Sequence, residues 1–79
     1  YPNPFAQILN VEFKLYVSSH VRISVHDVYG DNVKILLDRD LKPDLYKILW
    51  APQTEQGGMY IIKFQAGNRH IISKVMFIP

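Results

Sequence analysis

Few side chains in this sequence could do chemistry. His26 and Asp27 are adjacent, the pairing a general base and its orienting carboxylate would use. On an extended chain, however, neighbouring side chains point to opposite faces, so the two cannot share a hydrogen bond, and His26 reads as a solvated outer-face residue. Ser18-Ser19-His20 sets hydroxyls beside an imidazole, but the string has turn composition, where Ser serves local hydrogen bonding. No cysteine is present, which removes thiol nucleophiles, disulfides and thiolate zinc sites. Asp31, Asp38, Asp40 and Asp44 are oxygen donors in or near loops, and Asp38-Arg39-Asp40 puts two carboxylates on one side of an extended chain. Calcium favours such loops, yet the intervening Arg39 and the lack of EF-hand spacing favour solvated acids. Tyr46 and Trp50 share one strand face as either a sugar-stacking platform or core, and Lys47 on the opposite face favours core. Lys14, Arg22, Lys34, Lys47, Lys63 and Lys74 are scattered singly, as on the outer face of a sheet, and form no nucleic-acid footprint. The residues therefore read as a non-catalytic chain with no metal, no cofactor and no nucleic-acid partner.

The elements that position these groups follow from hydropathy. Of 79 residues, 48% are apolar, including four Phe, five Tyr and one Trp, and the formal net charge is only +2. That is enough aromatic area for one small packed domain without disulfide staples. No apolar run approaches the roughly 18 residues of a membrane span. The dominant period is two. Leu9, Val11, Phe13, Leu15 and Val17 alternate with Asn10, Glu12, Lys14 and Tyr16. Val21–Val28 repeats the pattern, a third strand runs from about Val33 to Asp38, and a fourth from Leu45 to Trp50 puts Tyr46, Ile48 and Trp50 inward. Gly57-Gly58 precedes a fifth strand, in which Tyr60, Ile62 and Phe64 oppose Met59, Ile61 and Lys63. Gly67-Asn68 is a two-residue hairpin signal before a last strand at Arg69–Ile78. Either face of that strand could be buried: Ile71, Val75 and Phe77, or Ile72, Lys74, Met76 and Ile78. A seventh strand could come from Tyr1–Phe5 or Asp38–Leu41, and the connections at Arg39–Asp44 and Ala51–Gly57 are the candidates for crossovers. The pattern predicts an all-β fold: an Ig-like antiparallel β-sandwich of six to seven strands with Greek-key connections. Ile61, Ile72 and Met76 could form an apolar patch if exposed together.

The most specific string is Tyr1-Pro2-Asn3-Pro4-Phe5. Its prolines fix φ at two positions and push Tyr1 and Asn3 towards extended conformations, giving a stiff lead-in suited to docking along a sheet edge. Placed before an all-β domain, it resembles the start of the C-terminal sorting domains of the type IX (Por) secretion system of Bacteroidetes, type A, in the Ig-like group that includes flagellar hook-cap domains. Further matches follow in order. Val21–Gly30 resembles the family's central strand ending in an Asp-x-x-Gly turn, Ile48-Leu49-Trp50 the strand ending in Trp, Gly58-Met59-Tyr60 the Gly-x-Tyr opening, and Ser73-Lys74-Val75-Met76 the basic-plus-apolar ending. Where the family usually has Gly before the Trp-bearing strand, this chain reads Leu41-Lys42-Pro43-Asp44.

The resemblance implies that residues 1–79 form one sorting-type domain excised from a larger exported protein. It implies a non-catalytic module that directs an attached protein through the outer membrane, leaving it secreted or at the cell surface. Its partners would be the outer-membrane secretion machinery and a covalently linked upstream catalytic or binding domain. The recognition residues it implies are Tyr1, Pro2, Asn3, Pro4, Phe5, Gly30, Gly58, Tyr60, Lys74, Val75 and Met76. The alternative role for the same fold is an Ig-like accessory module, a spacer or a glycan- or protein-binding unit, of a secreted hydrolase or adhesin.

Overall fold

A computed structural model describes residues 3–53 and 55–79. Seven strands form two facing sheets, a β-sandwich: β1 (Asn3–Phe5), β2 (Leu9–Leu15), β3 (Ser19–His26), β4 (Asn32–Leu41), β5 (Asp44–Trp50), β6 (Gly58–Ala66) and β7 (Arg69–Phe77). One sheet has five strands in the order β1-β7-β6-β3-β4, and the other pairs β2 with β5. All pairings are antiparallel, as expected of this sandwich, except β1 with β7, which is parallel. The cause is topological. β1 and β2 are separated by only Ala6–Ile8, so β1 runs to the end of the sandwich where β2 begins, and that is the direction of β7.

Period-two alternation sets the core. Val21, Ile23 and Val25 of β3 are fully buried, and Tyr60, Ile62 and Ala66 of β6 and Val75 and Phe77 of β7 join them. Trp50 is 2% exposed, while Leu45 and Leu49 on the other face of β5 lie in solvent, so the aromatic face of β5 turns inward and is no stacking platform. The ambiguous last strand buries its odd face, yet Ile71 on that face stays 46% exposed, because the two-stranded sheet does not extend over it. β4 is longer than predicted and includes Asp38–Leu41. Its stretch Val33–Leu37 does not alternate because register shifts relative to β3 insert two extra residues, which turn Val33, Leu36 and Leu37 towards the core.

Both predicted crossovers carry the chain between sheets. The first is shorter than expected, only Lys42-Pro43, since Arg39–Leu41 belong to β4 and Asp44 to β5. Each crossing is fastened by a tyrosine four residues on: the Tyr46 hydroxyl donates to the Lys42 carbonyl at 2.6 Å, and the Tyr60 hydroxyl to the Gln56 carbonyl at 2.6 Å. Tyrosines that bond back across a corner in this way are a recurring device of sandwich folds. The hairpin at Gly67-Asn68 forms as predicted, with Gly67 at φ +58°.

Candidate functional site

Most of the residues singled out from the sequence converge on one end of the five-stranded sheet. Asn3, Pro4 and Phe5 pair with Val75, Met76 and Phe77; across β7, Gly58 pairs with Phe77, Met59 with Met76, Tyr60 with Val75 and Ile61 with Lys74. Tyr1 and Pro2 lie outside the described residues.

The proline spacing has a physical reason in this ladder. The Phe5 carbonyl accepts the Ile78 amide at 2.8 Å, so Phe5 points its backbone groups at β7. In a parallel ladder alternate residues point their groups away from the partner, which places the missing N–H of Pro4 on the outer edge, where no ladder bond is lost. The imide also leaves that edge short of a donor for further strand pairing. The side chain of Phe5 turns inward and is half-buried. Its ring stacks on Phe77 at 5.2 Å and tilts against Trp50 at 5.7 Å, and Trp50 meets Tyr60 edge-on at 5.3 Å. A chain of four rings therefore ties β1 to β7, β5 and β6.

The Gly-x-Tyr string works as one unit. Gly58 has φ +147°, a conformation L side chains rarely adopt, as it opens β6. Two residues later Tyr60 is buried, and its hydroxyl holds the loop it has just left. Burial, and then the nearby Glu55 and Asp27 carboxylates, raise its pKa above the usual phenol value. Gly57 packs against the chain end: a Cβ there would meet Pro79 Cδ at 2.8 Å and the Phe77 carbonyl at 3.3 Å. Sequence reading missed both Gly57 and the hydroxyl anchor, because only the fold shows which carbonyl lies within reach.

Val75 faces the core, Lys74 and Met76 the outer surface; Lys74 is exposed and Met76 half-covered. The outer apolar residues Ile72 and Ile61 do not pair with each other: Ile72 sits opposite Lys63, and Ile61 opposite Lys74. Basic residues thus interrupt that face.

Gly30 belongs to the β3–β4 turn at the same end. The Asp27 carboxylate accepts the Tyr29 and Asp31 amides at 2.9 and 3.0 Å, and the Gly30 amide donates to the Asp27 carbonyl at 3.1 Å. Gly30 sits at φ +89°, so the Asp-x-x-Gly spacing is a local turn device. Val28 and Tyr29 project from it, Tyr29 at 88% exposure.

The candidate catalytic groups take structural roles. His26 and Asp27 do not bond to each other. His26 is half-buried rather than simply solvated: its Nδ1–H can donate to the Gly30 carbonyl at 3.3 Å, leaving Nε2 to accept from the buried Ser24 hydroxyl at 2.9 Å. Ser19 and His20 begin β3 instead of forming a turn. His20 faces Asp40 in register, and its ring spans the two carboxylates of the D-x-D string, Nδ1 to Asp40 at 2.8 Å and Nε2 to Asp38 at 2.5 Å. The two acids lie on β4 and share one side, as the spacing implied, but they hold an imidazole. Carboxylates only accept, so both ring nitrogens donate and the imidazolium is favoured; the hydrogen bonds to Asp38 and then Asp40 raise the His20 pKa above 6.5. Among the described residues no group of three acidic, His or Cys side chains is arranged to hold a metal ion.

Compared with known families, residues 1–78 match the model of the secretion system C-terminal sorting domain. No curated protein and no solved structure matches the chain.

Proposed function

The chain belongs to the family of secretion system C-terminal sorting domains, and from that membership we propose that it directs an attached upstream protein through the outer membrane to the cell surface or the medium. The domain is non-catalytic in this reading and acts as a signal with a shape. The translocation machinery is its partner, and the recognised surface is the end where β1, β7 and the opening of β6 meet. The observation that carries the reading is the family match over 1–78. The ordered convergence of Asn3, Pro4, Phe5, Gly58, Tyr60, Lys74, Val75 and Met76 on one edge supports placing recognition there. A sheet edge flanked by one exposed basic and one half-covered apolar side chain, Lys74 and Met76, suits docking by shape and needs no pocket.

The test is a fusion. Residues Tyr1–Pro79 are attached to a periplasmic reporter in a host with a working type IX system. The expected result is reporter outside the outer membrane. Truncation of Lys74–Pro79 should leave the reporter in the periplasm, with folding of the truncated domain followed separately. Retention of the full fusion, in a host that exports the same reporter on a proven sorting domain, would contradict the proposal.

A further inference from the structure

β7 has nine residues, and among the described residues β1 pairs with three of them, Val75–Phe77. On that side the edge from Arg69 to Lys74 has no strand partner among the described residues. β2, opposite it in the two-stranded sheet, has a strand partner on one side only among the described residues. Between these two open edges runs a groove of about 260 Å³, walled by Val11 and Phe13 of β2 and by Phe64, Ile71 and Ser73 of β6 and β7. Its lining is mostly apolar, and it explains why Ile71 stays 46% exposed on the face that otherwise forms the core. Open backbone edges beside uncovered core side chains favour adding a strand.

The position of β1 identifies the occupant. The chain enters β1 at Asn3 beside Val75, at the mouth of the groove, already parallel to β7. Carried backwards at one residue per step, the same register brings the last roughly four residues ahead of Tyr1 alongside Arg69–Ile72. We propose that the polypeptide preceding Tyr1 in the parent protein lies in this groove as an extended strand, parallel to β7 and antiparallel to β2. This rests on the reading that the domain is carried at the end of a larger protein. Alternate side chains of the segment face Phe13, Phe64 and Ile71, where the apolar lining favours apolar residues, and its backbone groups satisfy the open edge of β7. The sorting domain and its cargo linker are then one folded unit, and the upstream chain leaves from the groove in a fixed direction.

The inference is tested by amide hydrogen exchange, comparing the 79-residue chain with the same chain carrying its natural upstream residues. The Ile78 amide points at β1, so the amides of His70 and Ile72, which share its parity, point at the open edge. Their exchange should slow by at least about tenfold in the longer chain, with core amides such as Ile23 unchanged. Ser73→Arg, which fills the groove, should erase the added protection while the unextended chain keeps its urea midpoint. Equal exchange at Ile72 in the two chains overturns the inference. So does slowing that grows with protein concentration, which would place a second copy on the edge. Either result, beside an intact export assay, removes this inference and leaves the sorting function standing.

Discussion

Tyr60→Phe removes one oxygen and keeps the ring. The stacking against Trp50 at 5.3 Å therefore survives, and the bond of 2.6 Å to the Gln56 carbonyl is lost. A hydrogen bond contributes about 1 kcal/mol net, and leaving its partner partly buried and unsatisfied raises the cost of removal to about 1–2 kcal/mol. Tyr46→Phe is the control. It breaks a bond of the same length and the same i−4 spacing at the other crossing, but an exposed one, where water replaces the hydroxyl, so the cost is about 0.5 kcal/mol or less. For a chain this short, with about 4–12 kcal/mol of total stability, the Tyr60 effect is easily measured. Urea unfolding followed by the emission of the single tryptophan, itself 2% exposed, reads it directly. The melting temperature should fall by about 4–8 °C for each kcal/mol lost. The pH dependence supplies a second signature. Burial raises the Tyr60 pKa, so folding favours the neutral phenol. That contribution is complete below the ordinary value near 10 and is lost as pH climbs through the raised value, and the gap between wild type and Tyr60→Phe should narrow there. A Tyr60→Phe variant no less stable than Tyr46→Phe at neutral pH would refute the argument that the β5–β6 crossing is held by this hydroxyl.

Three further outcomes are expected. Phe5→Ala strips β1 of its contacts with Phe77 and Trp50; because Phe5 is half-buried, the cost is about half that of a core phenylalanine, roughly 1.5–2.5 kcal/mol, and the Ile78 amide should exchange faster than in wild type. Asp27→Ala leaves the Tyr29 and Asp31 amides without their carboxylate and should cost about 1 kcal/mol in urea unfolding, with little effect on Trp50 emission in the native state. The raised pKa of His20 means that its pairs with Asp38 and Asp40 stabilise fully below pH 6.5 and fade as pH rises through the raised value; His20→Gln should flatten stability over that window, and an unchanged pH profile would show that the imidazolium bridge contributes nothing.

Where one face of a strand is buried and the other wet, the sequence declares it. β2 and β5 alternate cleanly, and in β3 and β6 the apolar face named from the sequence is the inward one, although Ser24, Met59 and Ile61 on the other face are also partly or wholly covered. β4 resisted the same reading because its bulges shift parity twice, and nothing local in Val33–Leu37 marks where. β7 was ambiguous for a different reason: both faces carry apolar residues, and only the limited reach of the two-stranded sheet decides that Val75 is buried and Ile71 is not. The candidate site was legible as a set of strings and not as a place. Tyr60, Gly58 and Lys74 could be named individually, but their meeting beside β1 depends on long-range register. The same register turned Asp38 and Asp40 from a calcium-like pair into the two arms that hold His20, and no spacing within one strand could reveal a partner on the next.

In the proposed function the translocation machinery reads the folded β1–β7 end of the sandwich. Its most direct test combines export and folding in the same variants. Lys74→Glu and Met76→Gln alter the outward side chains of β7 without touching Val75 or Phe77, which hold the core. A reporter fused to the double variant should stay in the periplasm while the domain keeps a near wild-type urea midpoint. Undiminished export of that folded variant would contradict it.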